Sequence, residues 1–342
     1  MDSDALRRMV STSSRSGPSI TSTTSRSRGG TDTSSTSIVS SRVSVADSTW
    51  SLNSTNQPES STESESGLND APRSLWFETR NPYSPVTVVM LHLLFSSHLE
   101  WAHVWPKLTE YHLLIPDLPH HSRSRHIKPF SFALSIDLIA EMIRKHAHGG
   151  RAHIVGISTG GFIAQELVRK HPDIVISVFA SGCSPLRDFW LKTAQRPKLI
   201  QYGLLAMLHS PNSFFFKISG WSPEFQNDAL LKEVKRNATS RLSENGTTDT
   251  AAFQSDQVNE IATKGIRIAL IAAGKQDDLE GIRDTARIYS GDTNFGEGLQ
   301  SRAYVVRNMI HAWNLQHPVL FAKGVQAWIE GWPMPPEFEL MV

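Results

Sequence analysis

The sequence predicts an α/β fold in which a mostly parallel sheet of about six strands carries helices on both faces and one helical insertion. Short apolar, β-rich runs alternate with amphipathic stretches of helical length along residues 85–330, which is the rhythm of a parallel sheet. The rhythm breaks between about 184 and 264, where helical periodicity continues without a convincing strand. Residues 1–70 follow neither pattern, since almost half of their side chains are Ser or Thr.

The predicted strands and helices follow one another in a regular order. Val86–Leu91 is a β-rich apolar run that follows Pro85, as expected for a strand buried on both faces. The runs predicted as strands are 86–91, 113–115, 153–156, 174–180, 266–272 and 303–306. The stretches predicted as helices are 99–111, 132–145, 161–171, 279–289 and 317–329, with helical periodicity also at 189–209 and 223–242 inside the insertion.

Composition limits the possible functions. The chain of 342 residues has 34 basic and 33 acidic side chains, so its net charge of +1 gives no electrostatic basis for a general nucleic-acid binder. A single cysteine, Cys183, excludes an internal disulfide, and the first thirty residues contain no apolar signal-peptide core. The apolar runs reach only about half of the roughly 20 residues that a membrane-spanning helix needs. We therefore expect a cytoplasmic protein without a transmembrane segment that acts on a small molecule.

Residues 1–70 are predicted to be a disordered tail, and residues 71–342 a single folded domain. The tail contains few large apolar side chains, so it cannot bury enough apolar surface to offset the entropy lost on ordering. Its arginines and its scarcity of acidic residues up to Ala46 are also typical of a mitochondrial transit peptide. Mitochondrial localisation is therefore an alternative, although the tail has no apolar face at helical spacing.

The segment Gly156–Gly161, with the sequence GISTGG, lies where a predicted strand meets a predicted helix. A G-x-S-x-G sequence at such a junction is typical of a nucleophile elbow, a turn so tight that the serine adopts strained backbone angles. Ser158 would then stand above the sheet edge, and the helix N-terminus behind it would stabilise developing negative charge. The alternative is a glycine-rich turn with a solvated serine.

A serine nucleophile needs a base to remove its proton, and the base needs an acid to orient it. After such an elbow the acid and the histidine follow in that order, each behind a later strand. Asp277 and Asp278 follow the fifth predicted strand, and His311 follows the sixth. Because the carboxyl ends of parallel strands share an edge, we expect Ser158, Asp277 and His311 to converge there, with Asp278 as the alternative acid.

Simpler interpretations exist for several of these residues. Asp277 and Asp278 could be ordinary turn residues, and His311, one of 14 histidines, could be a helix-cap or core residue. The histidines within 120–126 have no acidic or cysteine partners nearby, so no metal site is predicted, and no cofactor is indicated. Cys183 has no histidine paired with it in a local pattern and is expected to be a buried residue rather than a nucleophile.

Three further segments carry a resemblance to a known family. Val88–His92 looks like a strand that leads into a His-Gly oxyanion loop. Asp117–Ser124 is similar to a D-x-P-G-H-G-x-S loop, and His311–Pro318 is similar to a catalytic-histidine loop with its closing helix. Over nearly all of residues 85–330 the chain resembles the α/β-hydrolase superfamily, in particular its compact esterases and hydroxynitrile lyases.

The resemblance implies a serine hydrolase. Ser158, Asp277 and His311 would form a catalytic triad, and the backbone N–H groups of Thr159 and Leu94 would form an oxyanion hole. A helical cap at about 184–264 would cover the pocket. The expected substrate is a small uncharged carboxylic ester, cleaved through an acyl-enzyme on Ser158, because no cluster of arginines near the triad indicates a carboxylate or phosphate group.

Several positions depart from the family pattern. Leu93 stands where the family usually has Gly after the oxyanion-loop His, so we expect a narrower pocket or a displaced loop. His120 and Ser122 replace the two glycines of the D-x-P-G-H-G-x-S loop. The chain before Val86 leaves little room for the family's first two antiparallel strands. Because hydroxynitrile lyases also accept a residue other than Gly at the position of Leu93, a lyase with the same triad is an alternative, and so is a non-catalytic ligand-binding relative.

Overall fold

A computed structural model of the chain describes residues 74–187, 221–291 and 300–341, together with scattered positions between 191 and 214. The chain divides into two units, Met1–Ser66 and Gly67–Val342, and every described residue belongs to the second. The predicted disordered tail therefore lies outside the described residues. The same holds for most of the helical periodicity predicted over 189–209.

The described residues form one sheet of eight strands. The strands are β1 (Phe77–Arg80), β2 (Thr87–Leu91), β3 (His112–Pro116), β4 (Ala152–Ile157), β5 (Val175–Ser181), β6 (Ile268–Ala273), β7 (Arg302–Val306) and β8 (Phe338–Leu340). Their order in the sheet is β1-β3-β2-β4-β5-β6-β7-β8, and the six strands from β2 to β7 run parallel. These six coincide with the six predicted strands, so the predicted fold class is confirmed.

The prediction of about six strands is too low by two, because both edges of the sheet carry an antiparallel strand. β1 pairs with β3 ahead of Val86, where the sequence had indicated little room for such strands, and β8 pairs with β7. Both edge strands are short and largely open to solvent. They lack the continuous apolar run that marks a strand buried on both faces.

Helices cover both faces of the sheet. The described helices are α1 (Phe132–His146), α2 (Thr159–Lys170), α3 (Asp228–Asn237), α4 (Ser240–Ala252), α5 (Ser255–Ala262), α6 (Leu279–Ser290), α7 (Trp313–Gln316) and α8 (Pro318–Glu330). Val89 and Leu91 of β2 pack in one core cluster with residues of α1, α2 and α6, whereas Val88 and Met90 pack in another with residues of α8. This alternation follows from the two-residue period of a strand. No described helix combines the length and apolarity needed to cross a membrane.

The prediction of a helix over 99–111 is wrong. The segment instead forms two short 3-10 turns, His98–Trp101 and Trp105–Lys107, the second of which begins around Pro106. Proline lacks the N–H that a continuous helix would need at this position. The helical spacing of apolar residues here reflects burial, since Trp101 and Val104 are completely buried without a regular helix.

The predicted insertion lies between β5 and β6, and its described part consists mainly of α3, α4 and α5. Thr239 begins α4 by accepting a hydrogen bond from the Leu242 N–H, and Asn227 does the same for α3 through Leu230. Such side-chain caps satisfy N–H groups that have no partner inside the helix. The polar residues between the helical runs therefore divide this insertion into separate helices.

Candidate active site

Ser158 occupies the turn between β4 and α2. Its backbone adopts φ 51° and ψ −121°, in the left-handed half of the φ range that residues with a side chain rarely use. A Cβ atom on Gly156 would lie 2.3 Å from the Gly160 carbonyl oxygen, and one on Gly160 would lie 2.1 Å from the Leu91 carbonyl oxygen. Both positions therefore require glycine, and the close strand–helix packing that they allow holds the serine in its strained conformation.

Asp277 and His311 come from the loops that follow β6 and β7. The His311 Nδ1 lies 2.6 Å from the Asp277 Oδ1, and the other carboxylate oxygen accepts a hydrogen bond of 2.7 Å from the Ala273 N–H. The His311 backbone N–H donates to the Gln276 side-chain oxygen at 2.7 Å. The Asp277 side chain is only 3 % exposed, so its carboxylate holds the imidazole in one orientation from a buried position.

The electrostatic surroundings favour the protonated form of His311. Desolvation of the ring acts against protonation, but the charge and hydrogen bond of Asp277 and the charge of Glu100 outweigh it and raise the pKa of His311. An imidazole with a raised pKa is a stronger base when neutral. His311 is therefore suited to accept a proton from a neighbouring hydroxyl.

Asp278 has different partners from Asp277. Arg187 donates two hydrogen bonds of 2.9 Å to its carboxylate, which also accepts from the Gly281 N–H at the start of α6. Burial alone would raise the pKa of Asp278, but these donors lower it. The two adjacent carboxylates thus contact different partners: Asp278 binds Arg187, and Asp277 contacts the imidazole of His311.

All five residues predicted for the site lie around one cavity of about 670 Å³. Ser158, Asp277 and His311 line it together with Thr159 and Leu94. The remaining wall contains apolar, polar and charged side chains from the core, from α4 and from the loop after β6. These further lining residues are Phe162, Gly182, Ser184, Leu186, Gly246, Thr247, Thr250, Lys275, Gln276, Asp278 and Ile282.

The loop from Leu93 to Ser96, called here the 93–96 loop, contains one backbone N–H without an acceptor among the described residues, and it belongs to the cavity-lining Leu94. The Leu93 N–H donates to the Glu100 Oε2 at 3.1 Å, and the Phe95 N–H donates to the His121 Nε2 at 3.1 Å. Between them, the Leu94 N–H has no acceptor among the described residues. The Thr159 N–H, at the first position of α2, likewise finds none in the part of the chain that the structure describes.

Leu93 does not line the cavity. Its side chain packs against the core cluster that contains Trp101 and Trp313, on the other side of the loop. The backbone carbonyl of Leu93 accepts hydrogen bonds from the His92 Nδ1–H at 2.8 Å and from the Ser96 N–H at 3.1 Å. The Leu93 side chain therefore does not narrow the cavity, contrary to one of the two effects expected from a leucine at this position.

The buried histidines near the 93–96 loop bond to backbone. His92 accepts from the Leu118 N–H, and the His121 Nδ1–H donates to the Pro119 carbonyl at 2.8 Å. Burial lowers the pKa of His92 to about 4 and that of His121 well below its usual value, so both rings are neutral. Among the described residues, no group of three or more His, Cys, Asp and Glu is arranged to hold a metal ion.

Two residues near this site were not predicted from the sequence. Glu100 is 1 % exposed behind the 93–96 loop, and Asn237, at the end of α3, is completely buried against it. Glu100 lies in a stretch predicted to be a helix, and Asn237 begins an Asn-Ala-Thr glycosylation sequon, which predicts no contact with this loop. Neither position carries a local signal for its role, because each acts through contacts with a distant part of the chain.

The sequence of the chain matches a known protein family. The profile of the Alpha/beta hydrolase family matches residues 88–323. An "AB hydrolase superfamily protein" from Gibberella zeae is 29 % identical over 286 residues, which cover 83 % of this chain and 94 % of that protein.

Solved structures share the fold at low sequence identity. A structure from a study of carboxylesterases of Nitrososphaera gargenis has 15 % identity and a TM-score of 0.59, covering 77 % of this chain and 97 % of its own. A putative non-heme bromoperoxidase from Mycobacterium tuberculosis has 15 % identity and a TM-score of 0.58, covering 75 % and 96 %. These likenesses concern the fold alone. Because the family profile spans most of the sheet, the elbow and the histidine loop, the chain belongs to the alpha/beta hydrolase family.

Proposed function

We propose that this protein is a serine hydrolase that cleaves carboxylic esters through an acyl-enzyme on Ser158. The observation that carries the proposal is the pairing of a strained serine at a strand–helix elbow with the His311–Asp277 hydrogen bond across one cavity. In this proposal His311 is the general base and Asp277 orients it, while the N–H groups of Thr159 and Leu94 form the oxyanion hole.

The reaction follows from these roles. His311 Nε2 takes the proton of the Ser158 hydroxyl as Oγ attacks the ester carbonyl carbon, and the carbonyl π electrons move to its oxygen. The two N–H groups stabilise that oxyanion. Its collapse expels the alcohol, which takes the proton from His311. Water, activated by the same imidazole, then attacks the acyl-serine and releases the acid.

The cavity suits a small, uncharged ester. Leu94, Phe162 and Ile282 give it an apolar wall. The hydroxyls of Thr247 and Thr250 donate to carbonyl oxygens one turn earlier in α4, at 2.7 and 2.8 Å, so they are occupied within the helix. Lys275 also lines the cavity, but the apolar side chains and the occupied hydroxyls favour uncharged acyl and alcohol groups over ionised ones.

We further propose that residues 71–342 form the catalytic domain and that the insertion at about 184–264 is its cap. The position of α4 supports this, because Gly246, Thr247 and Thr250 line the cavity opposite the elbow. Arg187, at the start of the insertion, is ion-paired with Asp278 beside the acid loop. The cap would then contribute to substrate selection, because its side chains form part of the cavity wall.

Covalent labelling tests the proposed nucleophile. A fluorophosphonate probe is expected to label the folded protein once, because its phosphorus is attacked by an activated serine and mimics the tetrahedral intermediate. Ser158→Ala should abolish labelling. Cys183→Ala is the matched control and should retain it, since Cys183 is buried and its burial raises the pKa of its thiol.

A slow ester substrate provides the second readout. Intact-mass measurement should detect an acyl group on Ser158 during turnover, and this adduct should be missing from Ser158→Ala. A lyase that uses the same serine and histidine only for proton transfer would form no such adduct. Folded wild-type protein that takes up neither the probe nor the acyl group would refute the proposed function.

A further inference from the structure

The 93–96 loop holds a strained turn that other parts of the chain keep in place. The Ser96 N–H donates to the Leu93 carbonyl and closes the turn, and Phe95 within it has φ 67°. A non-glycine residue in this region costs about 1 kcal/mol or more, so such a turn persists only where its surroundings enforce it. The Leu94 N–H belongs to this turn, and its direction depends on the turn's conformation.

Asn237, from the inserted helix α3, reaches into this turn. It is completely buried, and its Nδ2 donates to the carbonyl oxygens of Phe95 at 3.1 Å and Ser96 at 2.8 Å. The same nitrogen lies 3.0 Å from the Ser122 Oγ, and the Asn237 Oδ1 accepts from the Ser122 N–H at 3.0 Å. The two amide hydrogens of Asn237 thus serve three acceptors, and no polar atom of the side chain is left unpaired.

Ser122 is the second strained residue that Asn237 contacts. Its φ is 39°, again in the region that favours glycine. One buried amide therefore bonds to two left-handed residues, Phe95 and Ser122, that lie on separate loops. Removing it would leave buried carbonyls without donors at the positions where the backbone is already strained.

The insertion also contacts the side chain of Leu94. A Cβ atom placed on Gly246 of α4 would lie 2.6 and 2.7 Å from the two methyl carbons of Leu94. The glycine lets α4 lie directly on this side chain. The insertion therefore holds the 93–96 loop twice, through Asn237 on its backbone and through α4 on Leu94.

We propose that Asn237 is a positioning residue that ties the inserted helices to the 93–96 loop and thereby orients the Leu94 N–H for the oxyanion. The expected effect on catalysis rests on the proposed esterase function, whereas the contact between Asn237 and the loop does not. The oxyanion hole is then complete only where the inserted helices contact the 93–96 loop. Asn237 does not touch the substrate, so its loss should affect the transition state more than substrate binding.

Asn237→Ala compared with Asn245→Ala tests the inference. Asn245, on α4, donates to the Phe130 carbonyl at 3.0 Å and so ties the insertion to backbone outside the loop. Asn237→Ala should lower kcat for an ester about 10- to 100-fold with little change in KM, because a displaced donor weakens only the oxyanion contact. It should also weaken inhibition by an alkyl boronic acid, which presents a tetrahedral anion, by a similar factor. Asn245→Ala should change neither quantity more than about twofold.

Amide hydrogen exchange supplies a readout that needs no turnover. Exchange of the Leu93, Phe95 and Ser96 amides should be faster in Asn237→Ala than in wild type or Asn245→Ala, while β4 and β5 exchange as in wild type. Unchanged exchange in the loop, or equal kcat in the two variants, would overturn the inference. Wild-type protein without turnover would instead reject the esterase proposal, and the exchange data would still decide whether Asn237 holds the loop.

Asn237→Asp replaces Asn237→Ala in these experiments if the alanine variant does not fold. Aspartate has nearly the same size and still accepts from the Ser122 N–H, but it offers the Phe95 and Ser96 carbonyls no N–H donor. The same loss of kcat and the same faster exchange are expected. Wild-type kcat in a folded Asn237→Asp protein would overturn the inference.

Discussion

Glu100 is a buried carboxyl group placed between the 93–96 loop and the histidine loop. Its side chain accepts from the Leu93 N–H at 3.1 Å and from the Asn314 Nδ2 at 2.9 Å. Burial raises the pKa of Glu100 to about 7, although hydrogen bonds from Ser96, Leu93 and Asn314 and the charge of His311 act in the opposite direction. Its ionisation therefore falls within the physiological pH range.

The raised pKa predicts a particular pH dependence of stability. The folded state binds the Glu100 proton more tightly than the unfolded chain, whose glutamate titrates near 4.5. The resulting stabilisation is complete below pH 4.5 and is lost as pH rises through about 7. Glu100→Gln has no such ionisation, so its free energy of unfolding relative to wild type should rise by up to about 3 kcal/mol between pH 4.5 and 8.

Urea unfolding at a series of pH values measures this difference. Glu244→Gln is the matched control, because it neutralises an exposed carboxylate on α4. A difference between Glu100→Gln and wild type that stays constant from pH 5 to 8 would show that Glu100 does not titrate there on folding.

At the scale of elements, the contact between α2 and β2 depends on Gly160. A Cβ atom there would meet the Leu91 carbonyl oxygen at 2.1 Å and the His92 carbonyl oxygen at 2.9 Å, and backbone atoms cannot rotate away. Gly160→Ala should therefore push α2 off the sheet and destabilise the fold by about 3 kcal/mol. The reduced free energy of unfolding would be measured by denaturant titration.

Gly149→Ala provides the comparison. Gly149 has φ 66° but nothing within 4 Å of a Cβ atom, so alanine adds only backbone strain of about 1 kcal/mol. Equal destabilisation by the two substitutions would mean that steric contact at the elbow is not what requires Gly160.

The elements differ in how well their own residues predict them. The six central strands were predictable because both faces are buried, which selects a continuous apolar run. The edge strands β1 and β8 were not, since pairing on one side places few demands on their side chains. The segment 99–111 is the opposite case, in which the sequence predicts a helix that does not form. Its apolar residues are spaced for core packing, and Pro106 prevents a continuous helix.

At the scale of the whole molecule, the sheet, both core clusters and the cavity all lie within Gly67–Val342. A protein that starts at Gly67 is therefore expected to keep the thermal midpoint of unfolding and the fluorophosphonate labelling rate of the full chain. Differential scanning calorimetry and time-resolved labelling of both proteins would check this. A lower midpoint or slower labelling in the shorter protein would show that residues 1–66 contribute to the fold or the site.

The residues of the candidate site differ in how well the sequence predicts them. Ser158 was indicated by a local motif, because a tight strand–helix turn restricts its neighbours to glycine. The sequence favoured Asp277 and left Asp278 as the alternative acid, since adjacent carboxylates on one turn are separated only once their partners are known. His311 and Arg187 supply those partners from opposite sides of the turn.

The sequence by itself determined the central parallel strands and the elbow at Ser158, because each depends on residues close together in the chain, and it predicted that an acid and a histidine follow behind later strands. Only the tertiary structure decided which acid meets His311, which N–H of the 93–96 loop is left free, and that Glu100 and Asn237 hold this loop. Asn237 lies 142 residues from Phe95 along the chain, and a contact over such a distance is specified by how the whole sheet and its insertion pack rather than by any local pattern.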